Sequence, residues 1–398
     1  MMRVDVVVLG GGLVGCAAAY YLARRGASVL LLEQGDLNRG ASGRNAGSLH
    51  FQLEYRLLRH GDQLAAQFAQ IIPLSLVAIE DWRGLEAELQ ADLEVALAGG
   101  LIVAESAADV ALLEKRQALQ EKWGLASRLL AASEVRRLAP YLAESVIAAG
   151  YFPYEGHANP RLVASAFARC AEARGAQISV QTRVTGLMRD GAEWLVSMID
   201  REGRAREVSA GAVLNAAGAW AAEIAAMAHL HLPIFAVPLS MNVVERTRPL
   251  IPHLVQHASQ RLTLKQVSAG NVLIGGGWPG RFLREAATMT TRGRAQPVVE
   301  NVVENVALAA RLVPAIGNLY LLRSWTGITG ITTDQMPLLG EVPEARRFFV
   351  AAGGTAFTHG PTYARLISEL ILDGRSSTAI DLYSPARFSH INQFMASV

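Results

Sequence analysis

Cysteine is nearly absent: Cys16 and Cys170 are the only two in the chain. Two thiols cannot build a disulfide framework, which fits a reducing compartment, and they cannot hold a four-cysteine iron–sulfur cluster. No charge-free apolar run reaches the ~18 residues that a membrane helix needs. A basic stripe is also missing. With Lys+Arg 37 against Asp+Glu 35 the formal net charge is +2, so a nucleic-acid partner is not expected. No metal site is expected. Met1 leads directly into an apolar strand pattern, which leaves no room for a signal peptide, and a cytoplasmic location is expected. What remains is a globular composition, 51% hydrophobic and 18% charged over 398 residues. That length supports two domains with sizeable cores.

The most informative stretch is VDVVVLGGGLVGCAAAYYLARRGASVLLLE, Val4 to Glu33. Val6 to Leu9 reads as a buried parallel strand, Cys16 to Arg25 as a helix and Ser28 to Leu32 as a second buried strand. Between the first strand and the helix lie Gly10, Gly12 and Gly15, with Leu13 and Val14 inside the pattern. Glu33 follows the last glycine by 18 positions, close to the spacing of about 20 in dinucleotide-binding units. Gly10 makes the tight turn, Gly12 admits a pyrophosphate to the backbone, and Gly15 lets the helix pack on the strand. The helix N-terminus offers N–H groups to the phosphates. Glu33, with Gln34 beside it, faces a ribose.

Residues 40–48, GASGRNAGS, combine small residues with Ser42, Arg44 and Asn45. This Ser-x-Arg-Asn-Ala-Gly segment resembles that of the FAD-dependent amino-acid oxidases related to glycine oxidase and sarcosine oxidase. The resemblance implies an α/β fold: a Rossmann-like two-dinucleotide FAD-binding domain with an inserted α+β substrate domain containing an antiparallel sheet. It implies that Ser42, Arg44, Asn45, Ala46, Gly47 and Ser48 run beside the flavin. It also places a backbone contact to adenine at Val184. GAVLNAAGAWA resembles the second fingerprint of such flavoproteins, which implies Ala217, Gly218 and Trp220 at the diphosphate. The resemblance also implies that the turn GGTAFT, residues Gly353, Gly354, Thr355, Ala356, Phe357 and Thr358, faces the flavin pyrimidine. The implied division is 1–80, 145–225 and 325–398 for the FAD domain, and 81–144 and 226–324 for the substrate domain.

Further elements read locally. Leu53 to Leu85 is helical, Glu94 to Ala104 is strand, turn and strand, and Gln296 to Leu312 is a helix. Leu232 to Ile274 contains several alternating strands. His157, in EGHANP, reads as a turn residue in preference to a functional one. Trp278, in GGGWPG, fits a core aromatic or a substrate pocket equally well.

In the family the strand beneath the flavin carries an arginine for the substrate carboxylate. Here Trp325, Gly327, Thr333, Asp334 and Pro337 match, but Thr329 replaces the arginine and Gly330 the following proline. Arg281 and Arg323 are the alternative carboxylate partners, and the two replacements imply space for a substrate larger than glycine. Ser48 to Leu58, GGGWPG and Ala356 to Ile367 resemble the flavin subunit of heteromeric opine oxidases, with D-hydroxyproline and L-proline dehydrogenase and hydrogen cyanide synthase subunits as near relatives. The implied reaction oxidises the C–N bond of a secondary amino acid such as octopine or nopaline. His50 is a candidate for the active-site wall. The FAD is expected to be non-covalent. FMN at a subunit interface, an iron–sulfur cluster in a partner subunit and a place at the inner membrane belong to the same implication. Family members that use oxygen place a lysine over the flavin on a late strand. Alignment of that strand to Asn271–Gly275 puts Leu273 there, so electrons are expected to pass to a partner, with Lys265 as the alternative lysine. The remaining alternatives are a stand-alone sarcosine or glycine oxidase and a non-catalytic FAD-binding subunit.

Overall fold

A computed structural model describes residues 2–54, 61–285, 288–289 and 295–396. Part of the helical expectation for Leu53 to Leu85, and of the subgroup match at Ser48 to Leu58, lies outside the described residues.

Two eight-stranded sheets organise the chain. The first is the expected nucleotide sheet. Met2–Leu9 pairs in parallel with Val29–Leu32 on one side and Ala205–Asn215 on the other. Gln177–Ser179 and Phe348–Ala352 extend it in parallel, and Leu338–Glu341 closes one edge antiparallel. Its central strands are buried on both faces, so they read as continuous Val/Leu runs. The helix Leu13–Arg24 packs between Pro160–Glu172 and Gly360–Asp373, and its alanine-rich faces permit the close approach.

The second sheet runs in the order Leu321–Thr332, Ile234–Arg246, Asn271–Gly275, Thr263–Gln266, Leu254–His257, Gly100–Ala104, Ala148–Phe152, Arg128–Ala131. Leu254–His257 and Gly100–Ala104 are parallel; the other pairs are antiparallel. One face buries Leu101, Val103, Val255, Leu264, Val272 and Ile274 in an apolar core with the helix Val299–Leu312. The opposite face, which carries the alternate residues, bears Lys265, whose ammonium reaches Ser48, and at Gly100–Ala104 it packs Ile102 and Ala104 against Leu113 of the helix Ala107–Lys122.

Several expectations shift. Only Gly100–Ala104 forms a strand within 94–104, preceded by an isolated bridge from Ala96 to His157. The helix expected from Gln296 begins at Val299, because Ala295–Pro297 pairs with Gly280–Phe282 instead. Ala148–Phe152 and the whole of Leu321–Thr332 belong to the second sheet. The chain leaves the second sheet after Phe152 and again after Thr332. The helical run Asp62–Leu89 has the length and composition of a membrane span. Phe68, Ile72, Leu74, Ile79, Trp82 and Leu85 of that run are nonetheless buried in the first core, the setting of a core helix.

Candidate active site

The glycines at the end of the first strand divide the work by geometry. Gly10 sits at φ +113°, and a Cβ there would lie 2.7 Å from the Ala216 carbonyl oxygen. A Cβ on Gly15 would lie 1.9 Å from the Gly10 carbonyl oxygen. Both glycines therefore close the helix onto the sheet. Gly12 differs: only the Ser42 side chain, at 3.0 Å, is near its Cβ position. Gly12 is the N-cap of Leu13–Arg24 and makes no side-chain capping bond, which leaves the helix start accessible to an anion. Leu13 N–H donates to Ser42 Oγ at 2.9 Å, tying the 40–48 segment to that start. The Glu33 carboxylate accepts from Gly11 N–H at 2.7 Å and Gly35 N–H at 2.8 Å. It is thereby fixed at the strand end, and its remaining lone pairs can accept from a ribose diol. Gln34 is exposed. Val184 is buried in one cluster with Leu30 and Leu32.

The other expected segments meet here, although they are far apart in sequence. A Cβ on Gly40 would lie 3.5 Å from the Trp220 ring, and one on Gly10 would lie 3.0 Å from the Ala217 Cα. Gly218 has φ +56° with open space at its Cβ position. Trp325 Nε1 donates to the Arg44 carbonyl at 2.7 Å. Gly47 takes φ +75° and receives support from Asn45 Oδ1, which accepts its N–H at 2.6 Å. Thr358 Oγ1 links two segments: it donates to the Ser48 carbonyl at 3.4 Å and accepts from His50 N–H at 3.3 Å. Gly353 and Gly354 carry positive φ values of 81° and 28°. A glycine cradle, an uncapped helix start, a fixed acidic residue and a glycine-rich turn are what a dinucleotide with a planar ring requires. These residues fit FAD.

Lys265 is the central feature of the site. It lies on Thr263–Gln266, is fully buried, and its ammonium donates to Ser48 Oγ at 2.7 Å. Burial alone lowers its pKa from the ordinary 10.5 to about 7. Leu273 stands directly opposite Lys265 on the neighbouring strand. Lys265 and Leu273 therefore stand side by side on one face of the second sheet. His157 pairs in register with Ser48. Burial, together with the Lys265 charge, lowers its pKa to about 4, which keeps the ring neutral. His157 lies in the short strand Gly156–His157 rather than in a turn, within reach of the Lys265 charge.

The expected carboxylate partners fare otherwise. Arg281 and Arg323 are both exposed. Trp278 is half-buried and donates its indole N–H to the Arg261 carbonyl at 2.6 Å. Thr329 is half-buried and in register with Val237. Gly330 opens no space: a Cβ there would lie 2.9 Å from the Gly218 carbonyl oxygen, so glycine is required for the strand to approach that turn.

Buried polar residues behind the wall carry no sequence signal. Glu155 is fully buried and accepts from Phe51 N–H and Gln52 N–H at 2.8 Å and from Gln52 Nε2 at 2.9 Å. It fixes the segment that follows His50. His359 bonds Thr355 Oγ1 at 2.8 Å and Ser75 Oγ at 2.9 Å. Burial lowers its pKa to about 4, so a neutral ring braces the 353–358 turn. Trp82 Nε1 donates to the Thr358 carbonyl at 2.6 Å. Apart from the local His359–Thr355 bond, these contacts join residues far apart in the chain, and short sequence windows do not reveal such pairs.

Residues 5–370 match the model of the DAO family, FAD-dependent oxidoreductases. The chain is similar to glycine oxidase of Geobacillus kaustophilus, at 30% identity over 395 residues and 98% of both chains. It is similar to an opine oxidase subunit of Rhizobium meliloti, at 24% identity over 392 residues and 98% of both. Among solved structures it resembles L-proline dehydrogenase from P. horikoshii, with a TM-score of 0.83, 26% identity and 98% of both chains covered. The chain belongs to the DAO family of FAD-dependent oxidoreductases.

Proposed function

We propose that this chain oxidises the C–N bond of an amino acid whose nitrogen is a secondary amine, an opine such as octopine or nopaline, to an imine that hydrolyses to an amino acid and a 2-oxo acid. FAD, when bound, supplies the hydride acceptor. The chain's own residues do the rest. Gly10 to Gly15 and Glu33 hold the dinucleotide. Gly40 to Ser48 and Gly353 to Thr358 bracket the ring. The wall formed by Ser48, His157 and Lys265 excludes water and sets the local charge. No strong protein base is assigned, since the chemistry needs positioning and an unprotonated amine.

The observation that carries this reading is Thr329 on the strand Leu321–Thr332, where the glycine- and sarcosine-oxidising relatives are expected to carry arginine. Full-length similarity to an opine oxidase subunit supports it. In the same reading electrons leave through a partner subunit, which carries the iron–sulfur cluster, with FMN at the interface. A second reading, direct use of oxygen, is favoured by Lys265, because a buried cation stabilises developing negative charge. The FAD is read as non-covalent. Cys16 is fully buried with its thiol pKa pushed up to about 12, and Cys170 Sγ contacts the Leu89 carbonyl at 3.6 Å.

Anaerobic mixing of the purified flavoprotein with octopine, nopaline, proline isomers, sarcosine and glycine tests the substrate. Bleaching by an opine or imino acid with a higher kcat/KM than by sarcosine or glycine is expected. Preference for glycine or sarcosine would overturn the opine reading, and no bleaching by any of them would favour a non-catalytic role. Reoxidation by oxygen against an artificial acceptor separates the two electron routes. Acid precipitation is expected to release all the yellow colour.

A further inference from the structure

We propose that Lys265 and Gln256 together form the pocket for the substrate's carboxylate, replacing the arginine that position 329 lacks. The inference rests on the amino-acid reading above and adds the residues that recognise the acid group.

Both residues lie on the face of the second sheet opposite its apolar core, and Lys265 reaches Ser48 from there. Gln256 on Leu254–His257 is in register with Thr263, and Thr263 and Lys265 are alternate residues of one strand. Gln256 and Lys265 are therefore diagonal neighbours on one face, a separation of roughly 7–8 Å. Their in-between neighbours, Val255 and Leu264, point the other way into the apolar core.

Each is a buried donor with unused capacity. Lys265 is 1% exposed, and its ammonium bonds the neutral Ser48 hydroxyl. An ammonium has three donors. Gln256 is 4% exposed, and its Nε2 has no hydrogen-bond partner among the described residues. A buried cation bonded to a neutral hydroxyl, beside a buried unpaired amide donor, is costly unless a ligand completes both. One carboxylate, with its two acceptor oxygens, can accept from the lysine with one and from the amide with the other.

The placement also puts Lys265 within reach of the ring's surroundings. Ser48 ends the 40–48 segment and touches Thr358, so Lys265 sits where the two flanking segments of the ring meet. Arg281 and Arg323, the other cations considered for the acid group, are solvent-exposed. Lys265 is thus a buried cation placed to receive a substrate anion. Binding would restore the ammonium's preference for the charged form.

The test uses the FAD-loaded chain and two probes. Acetate and the best-reducing amino acid from the screen above are each titrated, following the flavin difference spectrum for acetate and the anaerobic bleaching rate for the amino acid. Lys265→Met should weaken both dissociation constants roughly 10- to 100-fold, and Gln256→Leu by about 3- to 10-fold. Lys265→Arg should recover part of the loss. Reoxidation of the reduced flavin by oxygen should change less than the binding constants do. Unchanged binding in Lys265→Met, with slowed reoxidation, would assign Lys265 to oxygen and overturn the proposal. Unchanged acetate binding in Gln256→Leu would remove Gln256 from the pocket even if Lys265→Met fails to fold. If no amino acid bleaches the parent protein while acetate still binds through Lys265, the amino-acid reading fails and the anion site stands.

Discussion

The glycine end of the first sheet and the inner face of the second sheet are both close-packed, yet they meet their constraints in different ways. At Gly10 and Gly15 backbone meets backbone, with no side chain between. Around Lys265 the packing consists of side chains: Ser48 and His157 come from a separate short sheet, and Gln256 from the neighbouring strand. The first region tolerates almost no atom added. The second tolerates exchange of shape but is sensitive to charge, because its groups are buried polar ones. That contrast tells which substitutions break the scaffold and which change only its chemistry.

The largest effect is expected at Gly15. A Cβ there would lie 1.9 Å from the Gly10 carbonyl oxygen, a backbone atom that cannot rotate away. Gly15→Val should yield colourless protein and lose about 3 kcal/mol of stability or more, read by urea unfolding. Gly12→Val probes the same loop without that clash, since only the Ser42 side chain is near. It should also be colourless yet unfold within about 1 kcal/mol of the apo parent. If Gly12→Val keeps full FAD occupancy, the loop does not hold the cofactor. If both variants lose the same stability, the division of labour between the glycines is wrong.

Next comes the charge of Lys265. Its pKa is lower in the folded chain, about 7, than the ordinary 10.5 of an unfolded lysine. Between those values the unfolded state binds more protons, so stability rises with pH there. Below pH 7 both states are charged, and the folded state bears the full cost of burying the ammonium. Lys265→Met should therefore melt above the parent at pH 6, and the gap should narrow as the pH approaches 10. A gap independent of pH would mean that Lys265 is not buried as a cation. Because His157 and His359 are held neutral to about pH 4, neither should contribute to the change between pH 7 and 10.

How much of this is legible in the sequence follows the same contrast. The nucleotide end is written in consecutive residues: strand, Gly10 to Gly15, helix, strand, Glu33. Periodicity and spacing suffice there. The second sheet is legible as alternating strands, but its register is not. Lys265 and Leu273 stand opposite each other on neighbouring strands, and periodicity alone does not bring that pairing out. Gly330 misleads for a related reason. A glycine replacing a larger residue looks like added space, but the backbone of Gly218 fills it. Glu155, Gln256 and His359 give no local signal, since a buried polar residue is recognised by what surrounds it.

The smallest expected effect lies at the joint between the two regions. Trp325, on the edge strand of the second sheet, donates its indole N–H to the Arg44 carbonyl in the segment beside the first sheet. Arg44 reaches back toward the Thr326 carbonyl at 3.4 Å, and a Cβ on the adjacent Gly327 would lie 3.2 Å from the Arg44 Cβ. The two segments therefore touch through the Arg44 side chain as well as through the indole. Trp325→Phe removes one hydrogen bond and retains most of the apolar contact, so a loss of about 1 kcal/mol is expected. Because Arg44 lies between Ser42 and Ser48, the loosening should reach the flavin environment. A small shift in the visible spectrum and an FAD dissociation constant raised about 3-fold should accompany it, by titration of apoprotein with FAD. A stability loss with unchanged spectrum and affinity would show that the two regions are joined mechanically without sharing the site. A loss above about 3 kcal/mol would show that Trp325 belongs to the core rather than to the joint.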